Sequence, residues 1–325
     1  SGTDADMVAC ASLYEFGAKR GDEIIVPACT FVASANSILA AGFIPKFVDI
    51  KVETLNIDAD KIEEAITDKT RAIMVVHLMG KPCDMDPILK IARAHNLKII
   101  EDACEAHGAT YKGKVVGSIG DMGAFSFYAA HLVVAGEGGM VVTNNDEIDK
   151  VVRSVKSHGR PFSSIYFDFQ RIGFNSRMNE LTAAIGLEGI ELFDRNFKTR
   201  KNNLYKLLDL TKELAEYCYF IKEESYEKVC PHAFPLVLKD KRYDCAKLYR
   251  YLEDKGIQCK TLFGSLPTQH PVFKFLGYRE GQFPAAEYVG ENGLHFGVHQ
   301  YLTEDDLVYI SDALKAYFKG RTSHK

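Results

Sequence analysis

No apolar run in this 325-residue chain approaches the ~18 residues that a membrane-spanning helix needs, and no signal peptide is visible. Positive charge is not in excess: 40 Lys and Arg stand against 44 Asp and Glu, a net charge of −4. A protein that grips nucleic acid by releasing counterions, or one held on anionic lipid, needs the opposite balance. The eight cysteines form no Cys-x-x-Cys pair and no tight cluster, which excludes a zinc knuckle. Most sit in apolar runs such as Val26-Pro-Ala-Cys29. That is the setting of buried free thiols in a reducing compartment, so the expected location is the cytoplasm. Internal repeats and linkers of biased composition are missing as well.

What is present is an ordinary globular composition, with 46% hydrophobic and 26% charged residues. The length predicts two domains, or one large domain with an appendage. The first half alternates strand-like and helix-like segments. Glu23–Pro27, Lys46–Asp49, Ala72–Val76 and Leu97–Ile100 read as strands, and Phe31–Ala41, Ala59–Ile66 and Asp84–His95 as helices. The unbroken apolar run Ala72-Ile-Met-Val-Val76 is what a strand buried on both faces requires. Repeated strand–helix–strand units predict a parallel, doubly covered sheet, with ligands bound beyond the carboxyl ends of its strands. A hairpin is expected at Tyr111–Lys114, strands at Ala124–Tyr128 and Met140–Thr143, and a helix at Asp146–His158. One long helical stretch is expected from Met178 to about Leu214. The remainder, with strands near His232–Leu238 and helices near Tyr243–Lys255 and Glu304–Phe318, predicts a smaller C-terminal domain.

Three local features carry chemistry. Ser1-Gly2-Thr3-Asp4 opens a helix, where free backbone N–H groups and the helix dipole favour a phosphate; an ordinary N-cap accounts for the same residues. Asp102 ends the strand Leu97–Ile100 and can face a protonated ring nitrogen, or can simply be satisfied by backbone. Ser126 lies on a strand leading to the turn Gly136-Glu-Gly-Gly139, where its hydroxyl can hold phosphate.

These residues belong to a longer ordered pattern: Pro27-Ala-Cys-Thr-Phe31, Val76-His77-Leu-Met-Gly80, Ile100-Glu-Asp102-Ala-Cys-Glu105-Ala-His107-Gly108-Ala109, Phe125-Ser126-Phe127, Gly136–Thr143 and Gly173-Phe-Asn175-Ser-Arg177-Met178-Asn-Glu180. Over most of its length the chain resembles the DegT/StrS family of sugar aminotransferases and their relatives. The resemblance implies an α/β protein of fold type I (aspartate aminotransferase-like) that uses pyridoxal 5'-phosphate (PLP) or pyridoxamine 5'-phosphate. It implies a large cofactor-binding domain with a mixed, mostly parallel sheet and a smaller α+β domain, which we place at 1–214 and 215–325. It further implies that Gly2, Thr3 and Ser126 hold the phosphate, Phe31 stacks on the ring and Asp102 pairs with the ring nitrogen. Glu105 stands where relatives carry a Gln near the phenolic oxygen. Asn175 is implied to reach the neighbouring subunit's phosphate, which makes the protein a homodimer. Several tens of residues ahead of Ser-Gly-Thr are usual in the family, and here the chain opens at Ser1 without a methionine.

One position departs from the pattern. Five residues after the serine, relatives carry the lysine that binds the cofactor covalently. Ser126-Phe-Tyr-Ala-Ala-His131 puts histidine there, and no lysine occurs between Lys114 and Lys150. The same substitution marks a subgroup that resembles this chain further, the 3-dehydratases of nucleotide-linked 4-keto-6-deoxy sugars. Imidazole titrates near neutrality and takes a proton without forming an imine of its own. The implied reaction is loss of the 3-hydroxyl with His131 as base, and glutamate restoring the amino form of the cofactor. Other readings stand beside it: an aminotransferase, a lysine replaced to trap a complex, or a non-catalytic relative that binds nucleotide sugars. One dehydratase branch holds an iron–sulfur cluster, which needs closely placed cysteines. Here none lies between His131 and Cys218, and the later four are 12, 15 and 14 residues apart, so no cluster is expected. His77 and His107 are expected to be structural or supporting. His295 and His299, without a third ligand, are not expected to bind metal.

Overall fold

A computed structural model describes residues 1–161, 165–239 and 242–320. In chain order, α1 (Gly2–Ser12) precedes β1 (Glu23–Pro27), α2 (Val32–Ala40), β2 (Ile44–Val48), the single turn α3 (Ile62–Ala65), β3 (Thr70–Val76), α4 (Met85–Ala94) and β4 (Lys98–Asp102). A short hairpin of β5 (Thr110–Tyr111) and β6 (Lys114–Val115) leads to β7 (Met122–Ser126) and β8 (Gly139–Val142). The main sheet has the order β2-β1-β3-β4-β7-β8. Its neighbours are parallel except β8, which returns antiparallel to β7. Strand alternation sorts the core into two layers. Ile24, Met74 and Ile100 join Val8 of α1 and Ile38 of α2 on one face, whereas Ile25, Ile73 and Ile99 join Ile62 of α3 and Ile88 of α4 on the other. This is the doubly covered sheet that the apolar runs require.

The chain continues through α5 (Asp146–Val155), α6 (Glu180–Glu191) and α7 (Phe193–Leu210) to β9 (Cys218–Phe220), β10 (Glu227–Lys228) and β11 (Ala233–Leu238). It then forms α8 (Cys245–Asp254), β12 (Cys259–Thr261), the short α9 (Leu266–Gln269), α10 (Pro284–Asn292), β13 (Gly293–Gly297) and α11 (Glu304–Lys319). The second sheet, β12-β13-β11-β9, is antiparallel throughout. A mixed, mostly parallel sheet with a smaller α+β portion is the expected architecture.

Some boundaries differ from the expectation. Ala59–Ile66 is a 3₁₀ turn followed by one α-turn. The helix after Asp146 stops at Val155, and His158 beyond it takes the left-handed region at φ 61°. The stretch expected to be one helix from Met178 is two, divided at Leu192. The division lets Phe193 and Phe197 turn in over Gly108, where a Cβ would meet Phe193 at 2.6 Å. The two helices have different surroundings. None of α6 is buried, and its Leu181 is 80% exposed. All eight cysteines are free, and all but Cys104 are buried. No helix among the described residues is long and apolar enough to cross a membrane.

Candidate active site

The parallel strands deliver their carboxyl ends to one edge of the sheet, and the residues singled out in the sequence follow those ends. Asp102 is the last residue of β4 and Ser126 the last of β7. α1 meets that edge with its N-terminus. Ser1 and Asp4 form a capping box there. The Asp4 amide donates to Ser1 Oγ at 3.1 Å, and the Ala5 amide to the Ser1 carbonyl. The amides of Gly2 and Thr3 are the donors at this helix start that have no partner within the helix. Gly2 lies so close to Ser126 that a Cβ would sit 2.6 Å from the Ser126 Cβ. Only glycine permits that approach, so two free amides and one hydroxyl converge on the positive end of a helix dipole.

Asp102 is nearly buried and held on both oxygens. Oδ1 accepts the Cys104 amide at 3.2 Å, and Oδ2 accepts the Ser34 hydroxyl at 2.8 Å. Ser34 is on α2, whose N-terminal boundary residue is Phe31. The Phe31 ring is 54% exposed, a free aromatic face next to the element that fixes the carboxylate.

His131 lies in the turn between β7 and β8 and faces other imidazoles, with ring centroids 6.0 Å from His107 and 5.5 Å from His232. Its Nδ1 is buried without a hydrogen-bond partner. Burial pushes the imidazole down to about 4; Asp102 works against that shift and Arg200 adds to it. Arg200 also donates to the His131 carbonyl at 3.5 Å. His131 is therefore a neutral base at physiological pH, with a carboxylate near enough to stabilise its protonated form. Glu105 is pushed the other way, up to about 7, mainly by burial. Its Oε2 accepts the Met79 amide at 2.7 Å, and its Oε1 is 3.7 Å from His232 Nε2. Met79 presents that amide from the left-handed region, at φ 53°, a conformation that costs free energy and that the surrounding structure must enforce.

Residues 1–315 match the DegT/DnrJ/EryC1/StrS aminotransferase family. The chain belongs to this family. It is 36% identical over 315 residues to a GDP-perosamine synthase of Caulobacter vibrioides, covering 93% of this chain and 81% of the relative. Among solved structures it resembles the Escherichia coli GDP-4-keto-6-deoxy-D-mannose-3-dehydratase with bound hydrated PLP, at a TM-score of 0.88 and 31% identity, covering 97% of this chain and 86% of that one. A GDP-4-keto-6-deoxymannose-3-dehydratase structure with a trapped PLP–glutamate geminal diamine matches with the same score, identity and coverage.

The family's cofactor can be tested against the local chemistry. Two free helix amides beside a serine hydroxyl suit a phosphate, a held carboxylate suits a pyridinium nitrogen, and an exposed aromatic face suits a ring. The orphaned Nδ1 of His131 is a buried polar atom in want of a partner. The residues present fit the group.

Gly2, Asp102, Glu105, Ser126 and His131 fall at one end of the sheet, with Thr3 and Phe31 at its rim. Asn175 does not join them. It is exposed, bridges Ser157 and accepts from Arg177 Nε at 3.0 Å, and it lines a groove of about 550 Å³ with Ser1 and Asp4. His77 pairs with the buried Glu101 at 3.0 Å and is structural. His107 lies closer to the chemistry, against His131. His232, pushed well below the usual histidine range by burial, was not singled out in the sequence. It stands 101 positions from His131 and just before β11, and no local motif marks it.

Proposed function

We propose that this protein is a 3-dehydratase of nucleotide-linked 4-keto-6-deoxy sugars that works with non-covalently held pyridoxamine phosphate. The family supports a sugar-modifying enzyme that uses this class of cofactor. The observation that carries the finer reading is His131, a half-buried, neutral imidazole whose buried Nδ1 has no hydrogen-bond partner, at the position where the resemblance places lysine. In this reading Gly2, Thr3 and Ser126 hold the phosphate, Asp102 pairs with the ring nitrogen and Phe31 covers the ring. When bound, pyridoxamine phosphate supplies an amino group for the keto carbon and a ring able to accept electrons. His131 accepts a proton at Nδ1, and Asp102 stabilises the imidazolium. Glu105, when protonated, donates a hydrogen bond as the glutamine of relatives does.

Incubation with pyridoxamine phosphate and a panel of nucleotide 4-keto-6-deoxy sugars tests the reading by mass spectrometry. Dehydration followed by hydrolysis releases ammonia and a 3-deoxy-4-keto sugar; an amino sugar that retains the nitrogen would instead establish the transaminase. The second reading is favoured by the similarity to the perosamine synthase. The trapped PLP–glutamate adduct of the similar dehydratase supports glutamate as the second substrate. Free, mostly buried thiols support a cytoplasmic enzyme, and residues 1–214 and 215–325 are taken as its two domains.

The pH dependence of kcat/KM follows from the two shifted groups. His131 must be neutral to act as base, so the acid limb falls near 4 rather than at 6.5. Glu105 donates only while protonated, so activity declines as pH rises through about 7. In Glu105→Gln the amide donates at every pH, and this alkaline limb vanishes. An unchanged alkaline limb in that variant assigns it to another group.

The homodimer is part of the same proposal. Leu181 and Ile185, one helical turn apart, and Leu187 and Ile190 on the opposite side leave α6 with exposed apolar side chains that the described residues do not cover, and such apolar surface calls for a protein partner. In this reading a second copy contributes its Asn175 to the first copy's phosphate site, as the family resemblance implies. Sedimentation is expected to give a dimer or a multiple of one, and Leu181→Glu with Ile185→Glu to give monomers with weakened cofactor binding. An active, cofactor-loaded monomer of the unaltered protein overturns the proposal.

A further inference from the structure

Asp6 is the one charged side chain of α1 that is wholly buried, at 0% exposure. It follows Ala5 and precedes Ala9 and Cys10 on a helix whose interior face is otherwise apolar or small. Both of its carboxyl oxygens are buried with no conventional hydrogen-bond partner. Oxygen atoms of Asp6 and Asp102 and the Cys104 Sγ all lie within 4.8 Å of one another. Two carboxylates this close in a buried setting cannot both ionise without a large penalty. Burial, and after it Asp102, push Asp6 well above the usual carboxylate range.

The other groups in this part of the structure do not supply the missing partner. α1 packs on α2, β4, β7, β8 and α5. No titratable side chain lies on α2, β7 or β8, and α5 keeps its Arg153–Asp149 pair at the surface. On β4, Lys98 pairs with Asp121, and Glu101 is taken by His77 and the amides of Gly117, Ile119 and Gly120; in the turn after α1, Tyr14 donates to the Ala41 carbonyl and Glu15 pairs with Arg171. The thiols of Cys10 and Cys104 are pushed well up by burial and carry no charge. Asp102 alone remains to receive a proton from Asp6. A carboxylate offers about four lone-pair positions. The Cys104 amide and the Ser34 hydroxyl take two of those on Asp102.

We propose that Asp6 is a positioning residue for the cofactor ring: as a neutral carboxylic acid it donates its proton to a third lone pair of Asp102, so that one charge and one acceptor position face the ring nitrogen. The inference rests on the functional reading above for the identity of the ring, but the protonation of Asp6 can be measured without it. The pair then carries one negative charge, which matches one protonated pyridine nitrogen.

The first measurement uses the protein without cofactor. Infrared difference spectra between the unaltered protein and Asp6→Asn are recorded at a pH well above that at which Glu105 ionises. The expected result is loss of a protonated-carboxyl C=O band that shifts in heavy water. Absence of such a band overturns the proposal, whether or not the protein binds pyridoxamine phosphate. The second measurement is the affinity for pyridoxamine phosphate as a function of pH. Asp6→Leu removes the donor, so Asp102 gains proton affinity and the protonated form no longer pairs with the ring. Binding by this variant is expected to fall about tenfold per pH unit on the acid side of a midpoint displaced upward from that of the unaltered protein. Asp6→Asn keeps a donor and is expected to keep the original profile. An ionised Asp6 would give the opposite result, with the midpoint moving down when the second charge is removed. That displacement, or an identical displacement in both variants, overturns the proposal. If no variant binds the cofactor, the functional reading fails and the infrared result still decides the state of Asp6.

Discussion

His131→Asn is expected to bind pyridoxamine phosphate with nearly unchanged affinity and to lose sugar dehydration by roughly 10²–10⁴-fold, the usual contribution of a positioned acid–base group. Binding survives because the free amides of Gly2 and Thr3, the Ser126 hydroxyl and Asp102 lie outside the substituted side chain. Chemistry is lost because an amide cannot accept the proton that the free Nδ1 of a neutral imidazole can. The unaltered protein also makes a distinct chemical prediction: borohydride treatment in the presence of PLP leaves its mass unchanged, since no lysine stands at this position. In His131→Lys a covalent, reducible attachment is expected, with the product shifting toward amino sugar. A borohydride-stable adduct on any lysine of the unaltered protein would overturn the dehydratase and favour the aminotransferase. Undiminished dehydration by His131→Asn would make the histidine a bystander while leaving the family assignment intact.

Asp102→Asn is expected to cost roughly 100-fold or more in turnover with little loss of fold. The carboxylate and a protonated ring nitrogen make a charge-assisted pair that an amide cannot reproduce. The local structure tolerates the change: the amide oxygen still accepts the Cys104 N–H, and the amide nitrogen can donate to Ser34, whose hydroxyl also accepts. Thermal unfolding should therefore move far less than the rate, by an amount corresponding to about 1 kcal/mol. Near-normal turnover by a folded variant would remove Asp102 from its role.

The main sheet was legible because burial on both faces leaves a plain trace. Ala72–Val76 has no polar interruption, and the helices around it alternate with strands at regular spacing. Asp102, Ser126 and His131 were legible because each ends or closely follows a strand within a recognisable run, so sequence distance and spatial distance agree. His232 shows where that agreement ends. It lies just before β11, and only the docking of the antiparallel sheet against the end of the parallel one brings it to Glu105 and His131. Asp6 was missed for a different reason. An aspartate in the second turn of a helix is ordinarily solvated, and nothing in α1 alone shows that this face turns toward another carboxylate. The division at Leu192 was hidden because apolar spacing runs through it unchanged, although α6 and α7 have different surroundings.

The free cysteines give the folded state a chemical signature. Each of the eight thiols is pushed above its ordinary value by burial, and the thiolate is the form that reacts with alkylating agents and oxidants. The seven buried thiols are therefore expected to react slowly with such reagents in the native protein, Cys104 being the partly exposed one, and every cysteine is expected to become reactive once the chain opens. Alkylation mapped cysteine by cysteine would report which layer of the core opens first, without any introduced label.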